Sequence, residues 1–169
     1  GIRDLSVTGV QTCALPIYEE IEVILHDNNV KFLKPENLEI YVAKKISQQK
    51  IIAWFQGGAE FGPRALGNRS ILTAPFPKEM KDIINSRVKF RESFRPFAPA
   101  ILSEYANTYF DIKQSSSHML IAVNTRSEKI SEIPAVVHVD TSARVQTVSK
   151  DNRSEERSVG KECRSRWSQ

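Results

Sequence analysis

The sequence predicts a mixed α/β fold, and three observations carry that prediction. Segments with apolar residues at helical spacing alternate along the chain with short β-branched and aromatic runs, as helices interleaved with strands do. The run Ile51-Ile52-Ala53-Trp54-Phe55 is apolar on both faces and ends on a glycine-rich loop, the form of a buried strand whose C-terminal end faces a ligand. A length of 169 residues is enough for one ordinary core.

The elements follow in order. Ile21, Ile24 and Leu25 stand at i, i+3, i+4 within Tyr18 to Asp27, which predicts a short amphipathic helix ended by Asn28-Asn29. His26 lies at its C-terminal end, where a cation suits the dipole, and no second ligand stands nearby in sequence. Val30 to Leu33 is a short extended piece. Pro35 to Gln48 is a better helix, with Leu38, Tyr41, Val42 and Ile46 on one stripe and Lys44 and Lys45 on a solvated face. Lys50 to Gln56 is the buried strand. Ser70 to Ala74 is a second strand, closed by Pro75 and Pro77. Pro77 to Val88 is a helix with Met80, Ile83, Ile84 and Val88 inside and Lys78, Lys81 and Arg87 outside. Asn85 shares a face with Lys89 and is either a C-terminal cap or a ligand contact.

Ala98 to Leu102 reads as a small strand, and Ser103 to Phe110 as a helix capped by Ser103 with Tyr105, Tyr109 and Phe110 in the core. Gln114 to Ser117 is a polar loop, Met119 to Val123 a strand and Arg126 to Glu132 a charged connection. Ala135 to Asp140 and Arg144 to Val148 alternate like two strands, or a strand and its continuation.

The two ends are set apart. Val7-Thr-Gly-Val-Gln-Thr-Cys-Ala-Leu-Pro-Ile17 and Arg153-Ser-Glu-Glu-Arg157 can be encoded by one oligonucleotide read on its two strands, and that DNA resembles a common sequencing adapter. Residues 1–17 and 153–169 are therefore left out of fold reasoning as an expression scar would be. The domain plan is a helical lead-in over 18–49 and a partial domain over 50–152. The formal net charge is +4; the two tails carry +2 of it, so the interior is too nearly neutral to argue for nucleic acid by charge alone. Cys13 and Cys163 fall in the tails and have no metal-ligand spacing. No apolar run approaches membrane-spanning length and nothing resembles a signal peptide, so a cytoplasmic protein with no membrane partner is expected.

Two segments concentrate the chemistry. Gln56-Gly-Gly-Ala-Glu-Phe-Gly-Pro-Arg-Ala-Leu-Gly-Asn-Arg-Ser70 sets Arg64 and Arg69 among Gly57, Gly58, Gly62 and Gly67, freeing backbone N–H groups to approach an anion. Val88-Lys-Phe-Arg-Glu-Ser-Phe-Arg-Pro-Phe-Ala-Pro99 offers Lys89, Arg91 and Arg95; if extended, Lys89 and Arg91 share a face. Phosphate is the natural guest.

Together these segments, Glu60 to Leu72 and Lys89 to Pro99, resemble the start of the C-terminal domain of the NodU/CmcH-type carbamoyltransferases. Pro134-Ala-Val-Val-His-Val-Asp140 and Ala143-Arg-Val-Gln-Thr-Val148 extend the likeness, although the family's Asp-Gly-Thr-x-Arg becomes Asp140-Thr-Ser-Ala-Arg144 here. The resemblance implies a YrdC-like twisted mixed sheet with flanking helices, of which this chain holds the first part only, because the family's later Asn-Thr-Ser-Phe-Asn segment does not follow Val148. It also implies a pocket for ATP with Mg2+ and for carbamoyl phosphate. The expected pocket residues are Arg64, Asn68, Arg69, Ser70, Lys89, Arg91, Arg95, His138 and Arg144, with no protein metal ligand among them. Pairing with Glu60, Glu92 or Glu104 is the alternative for Arg69 and Arg95, and a core or edge position is the alternative for His138.

The implied reaction is formation of carbamoyladenylate, for later carbamoylation of a hydroxyl by an upstream ATPase-like domain of the same parent chain that holds Fe2+. Without that domain and the second half of the pocket, the chain alone is expected to be inactive. A second reading is a YrdC-like RNA-binding or threonylcarbamoyl-adenylate synthase module acting on tRNA. The aromatics Trp54, Phe55 and Phe61 are not interleaved with a basic stripe, which counts against a single-strand platform.

Overall fold

The computed structural model describes residues 18–56 and 62–149. Both adapter-like tails, and Gly57, Gly58, Glu60 and Phe61 of the glycine-rich loop, lie outside the described residues.

Helix α1 spans Tyr18–Asp27 and α2 spans Leu38–Ser47. The second begins where Asn37 accepts a hydrogen bond from the Ile40 N–H at 2.8 Å, satisfying one of the four unpaired amides of a helix start. Its apolar stripe buries Val42, Ala43 and Ile46 against Trp54 and Ala74. Trp54 belongs to β1 (Ile52–Phe55), which pairs antiparallel with β2 (Arg69–Leu72), Ile52 facing Leu72 and Phe55 facing Arg69. Strand β1 thus ends on the glycine-rich loop as the sequence predicts.

The helix expected over Pro77 to Val88 is shorter and changes character. Helix α3 runs only Met80–Ile84 and passes into a single π-helical turn, Asn85–Lys89, which Phe90 ends in the left-handed region at φ 48°. A widened turn of this kind needs a local cause, and Asn85 supplies it: its carbonyl accepts from the N–H groups of both Phe90 and Arg91. The Lys89 to Arg91 stretch is therefore turned, not extended.

Strand β3 (Ala100–Leu102) leads into a 3-10 turn and the short α4 (Ala106–Tyr109). Ser103 does not cap this helix; its hydroxyl donates to the Val148 carbonyl at 3.1 Å. Strand β4 (Ala122–Asn124) pairs antiparallel with β5 (Ser142–Arg144), and β6 (Gln146–Val148) pairs parallel with β3. The two alternating residues runs are thus a strand and its continuation only within 142–148: Val145, fully buried, is the hinge at which the chain leaves one sheet and joins another.

Ala135 to Asp140 forms no strand. Its amides are taken by turns and a neighbouring loop: Ala135 N–H donates to Pro75, Val136 to Ile133, His138 to Ser142 and Thr141 to His138. The apolar alternation there reflects side chains tucked into two cores, Ala135 with Met80 and Ile84, and Val136 with Phe110, Ile133, Ala143 and Val145. The mixed α/β class holds, but the described residues carry three two-stranded sheets in place of one twisted sheet.

Thr141, standing where the family pattern has glycine, adopts φ 66°. A β-branched residue is strained in that region by about 1 kcal/mol, while glycine adopts it freely but gains entropy when unfolded. Thr141→Gly should therefore raise stability by no more than about 0.6 kcal/mol, the relieved strain less the roughly 0.4–1 kcal/mol entropic cost of glycine, read as a slightly higher urea midpoint with an unchanged slope. A lower midpoint would show that the turn does not strain the threonine.

Candidate anion-binding site

The site begins at the base of the glycine-rich loop. The Gln56 N–H donates to Asn68 O at 2.9 Å and Gln56 Nε2 to Gly67 O at 3.1 Å, so the loop is pinned where β1 leaves and β2 returns. Gly62 at φ 134° and Gly67 at φ 120° supply backbone that L side chains rarely adopt. Between them Pro63, Arg64 and Ala65 are carried over to one wall of a cavity.

The opposite wall is the π turn and the segment after it. Lys89 and Arg91 both line the cavity, on either side of the left-handed Phe90, with Pro96 and Phe97 continuing the wall. Arg91 is held in two ways: its Nε donates to Asn85 Oδ1 at 2.8 Å, and its guanidinium lies 4.7 Å from the Phe97 ring centroid.

The third side comes from the β5–β6 continuation. Arg144 and Gln146 face the cavity, and Gln146 Nε2 crosses it to donate to Leu66 O at 2.8 Å, tying the glycine-rich loop to β6. Burial, and next the positive charge of Arg64, lower the Arg144 pKa from its usual value. Neither Arg64 nor Arg144 forms an ion pair among the described residues.

The cavity has a volume of about 490 Å³, within the range of small-molecule sites. Its floor is apolar, with Trp54, Ile84, Phe97 and Phe110. Arg64, Lys81, Lys89, Arg91 and Arg144 supply five cations to the lining, and no Asp or Glu belongs to it among the described residues. The three ion pairs among the described residues involve other cations, Lys34, Arg95 and Lys129. An unneutralised cationic cluster over an apolar floor can bind an organic polyanion, with the phosphate held by charge and the remainder by contact.

Of the nine residues expected from sequence, Arg64, Ser70, Lys89, Arg91 and Arg144 line this cavity. Arg69 turns to the outer side of β1, where its Nη1 donates to Gln56 O at 2.6 Å and its guanidinium lies 3.5 Å from the Phe55 ring centroid. Asn68 lends its carbonyl to the loop base. Arg95 pairs with Glu92 at 3.1 Å, one of the alternatives its sequence context offers. His138 sits in the turn before β5, its N–H donating to Ser142 O. Near it, Asp140 accepts from the Ser142 hydroxyl and N–H, which hold its carboxyl below the usual carboxylate range.

Three contributors escape a reading of the sequence. Helical spacing puts Lys81 on the outer face of an ordinary helix, yet it lines the cavity. Gln146 is 2 % exposed, a polar residue among buried neighbours in an alternating strand, which is the signal that marks it. Asn85 stands at the C-terminal cap of α3, one of the two roles its sequence position suggests, but its 1 % exposed side chain also holds Arg91, which neither reading includes. Among the described residues no group of three His, Cys, Asp or Glu side chains comes together to hold a metal, and no helix is long and apolar enough to cross a membrane.

Like charges held together in a site are a cost in the empty protein. Arg64→Met or Arg144→Met should leave the melting temperature unchanged or higher, a change of about 0–1 kcal/mol for a partly exposed pair. Each should also shrink the rise in melting temperature produced by millimolar pyrophosphate. A drop in melting temperature with the pyrophosphate effect intact would contradict the anion site.

The profile of the family described as carbamoyltransferase C-terminus matches residues 43–166. Nodulation protein NolNO of Sinorhizobium fredii is 43% identical over 135 residues, covering 78% of this chain and 20% of that protein. Nodulation protein NolO of Bradyrhizobium diazoefficiens is 41% identical over 134 residues, covering 78% of this chain and 24% of its own length. Nodulation protein U of Rhizobium tropici is 47% identical over 111 residues, or 66% and 19%. The chain spans a fifth to a quarter of the length of these relatives. With its glycine-rich loop and its Lys89-Phe-Arg91 turn both inside the matched residues, the chain belongs to the carbamoyltransferase C-terminal family.

Proposed function

We propose that this chain is part of a carbamoyltransferase, and that its YrdC-like domain binds ATP and carbamoyl phosphate and forms carbamoyladenylate. The observation that carries the reading is the cavity lining: five cations, no described carboxylate and an apolar floor. ATP and carbamoyl phosphate are both polyanions, and each well-oriented charge-assisted contact to phosphate contributes about 1.5–3 kcal/mol. Five cations are enough to oppose most of the charge of both.

In the proposed sequence water first cleaves the anhydride bond of carbamoyl phosphate, giving carbamate and inorganic phosphate; a carbamate oxygen then attacks the α-phosphorus of ATP, and the new O–P bond forms as the bond to the leaving pyrophosphate breaks. No nucleophilic side chain is required. The protein's part is positioning and charge neutralisation, Lys89 and Arg91 from one wall and Arg64 and Arg144 from the others. The described lining has no carboxylate to hold Mg2+ directly, so it does not fit that ion by itself, and no step is assigned through it. Transfer of the carbamoyl group to a hydroxyl of a sugar or natural product belongs, in this proposal, to an upstream ATPase-like domain of the parent chain holding Fe2+.

The test uses the parent protein and follows pyrophosphate release from ATP in the presence of carbamoyl phosphate. Lys89→Ala or Arg91→Ala should lower kcat/KM for ATP roughly tenfold or more, while Lys44→Ala, on the exposed face of α2, should not. Equal losses from all three would reduce the site to general electrostatics. Pyrophosphate release that requires threonine and bicarbonate in place of carbamoyl phosphate would favour the tRNA-modifying reading.

A further inference from the structure

We infer that Asn85 is the positioning residue that makes Arg91 a phosphate fork. The inference rests on the proposed reading of the cavity as a phosphate site. Asn85 is 1 % exposed and is among the largest fully buried side chains, an unusual place for an amide in the described structure. Every polar group it owns on the side chain is engaged. Oδ1 accepts from Arg91 Nε at 2.8 Å; Nδ2 donates to Arg95 O at 3.1 Å and reaches Ser93 O at 3.4 Å. Its backbone carbonyl meanwhile receives the N–H groups of Phe90 and Arg91. One buried residue therefore fixes the backbone of Arg91, its side chain and the loop that follows.

The consequence is geometric. A guanidinium has five N–H donors in a rigid plane. With Nε given to Asn85 and the guanidinium carbon 4.7 Å from the Phe97 ring centroid, Arg91 is held at two points, and the end bearing Nη1 and Nη2 is left for the cavity that Arg91 lines. Among the described residues no hydrogen bond takes either Nη. Two parallel N–H groups in a fixed plane match two oxygens of one phosphate, which a lysine ammonium cannot reproduce. The strain at Phe90, 83 % exposed and left-handed, is then explained by the same hub: the turn that places Lys89 and Arg91 on one cavity is closed on the Asn85 carbonyl at the expense of an unfavourable φ.

The experiment titrates the full chain with tripolyphosphate and follows the Arg91 Nε–H resonance by NMR. In the unaltered chain that proton should exchange slowly, and tripolyphosphate should bind. Asn85→Ala should weaken binding about tenfold and speed exchange at Arg91 Nε; in an Arg91→Lys background the same substitution should change binding less than about twofold. Should the alanine variant fail to fold, Asn85→Asp, of the same size, keeps the acceptor but sets a negative charge on Arg91 and should weaken binding at least as much. Wild-type binding by either Asn85 variant, or equal losses with and without Arg91, would overturn the positioning role while leaving the phosphate site standing. No binding of tripolyphosphate to the unaltered chain would overturn the phosphate site and this role with it.

Discussion

The parallel pairing of Ala100–Leu102 with Gln146–Val148 is the constraint on which the rest of the pocket depends. These strands are far apart in sequence, and their union closes a long loop whose entropy cost is met by the core of Phe110, Ile112, Ile133, Val136, Ala143 and Val145 within it. Once β6 lies beside β3, Gln146 stands within reach of Leu66 and Arg144 is brought to Arg64. Polar residues buried behind the same strand keep it in register: Ser116 donates its hydroxyl to Val145 O and its N–H to Thr147 Oγ1, both at 2.8 Å. The cationic cluster is thus assembled by apolar burial and by neutral hydrogen bonds. Its members contribute little attraction to one another, and Arg64 and Arg144 repel.

That division of labour explains how a small fold tolerates such a site. Charges that pair within a protein are occupied; charges that line a cavity without a described carboxylate remain available to a ligand, and their mutual repulsion is relieved when an anion enters. Two neutral supports fix the surroundings of the cations: Asn85 holds Arg91, and Gln146 ties β6 to the glycine-rich loop through Leu66 O. Arg95 and Arg69, a few residues away, show the other outcome: one is paired with Glu92, the other satisfied by backbone carbonyls and laid on Phe55.

Local pattern made much of this legible. The first two helices, the pairing of β1 with β2 and the placing of five of the nine expected residues around one cavity follow from apolar spacing and from cations set among glycines and prolines. The expectation of a strand buried on both faces does not hold: of Ile52–Phe55 only Trp54 is buried, and Phe55 is 62% exposed, because a two-stranded antiparallel sheet covers one face alone. What the sequence hid depends on partners distant along the chain. Ala135 to Asp140 alternates like a strand, but Pro75 and Ser142 take amides that a neighbouring strand would need. Met80 to Val88 has a helix's spacing throughout, and nothing local announces that Asn85 will turn inward and widen the helix into a π turn. Lys81 is read as exposed because helical periodicity sees one molecule's core and not the cavity beside it. Thr141 occupies a left-handed turn that its type disfavours, so the turn is set by its neighbours rather than by its own preference.

The most direct measurement is the position of ATP bound to the protein, determined crystallographically with a non-hydrolysable analogue. The phosphates should lie between the Lys89–Arg91 wall and Arg64 and Arg144, with two phosphate oxygens facing the Nη end of Arg91. Phosphates bound elsewhere, with these four side chains unchanged around an empty cavity, would contradict it.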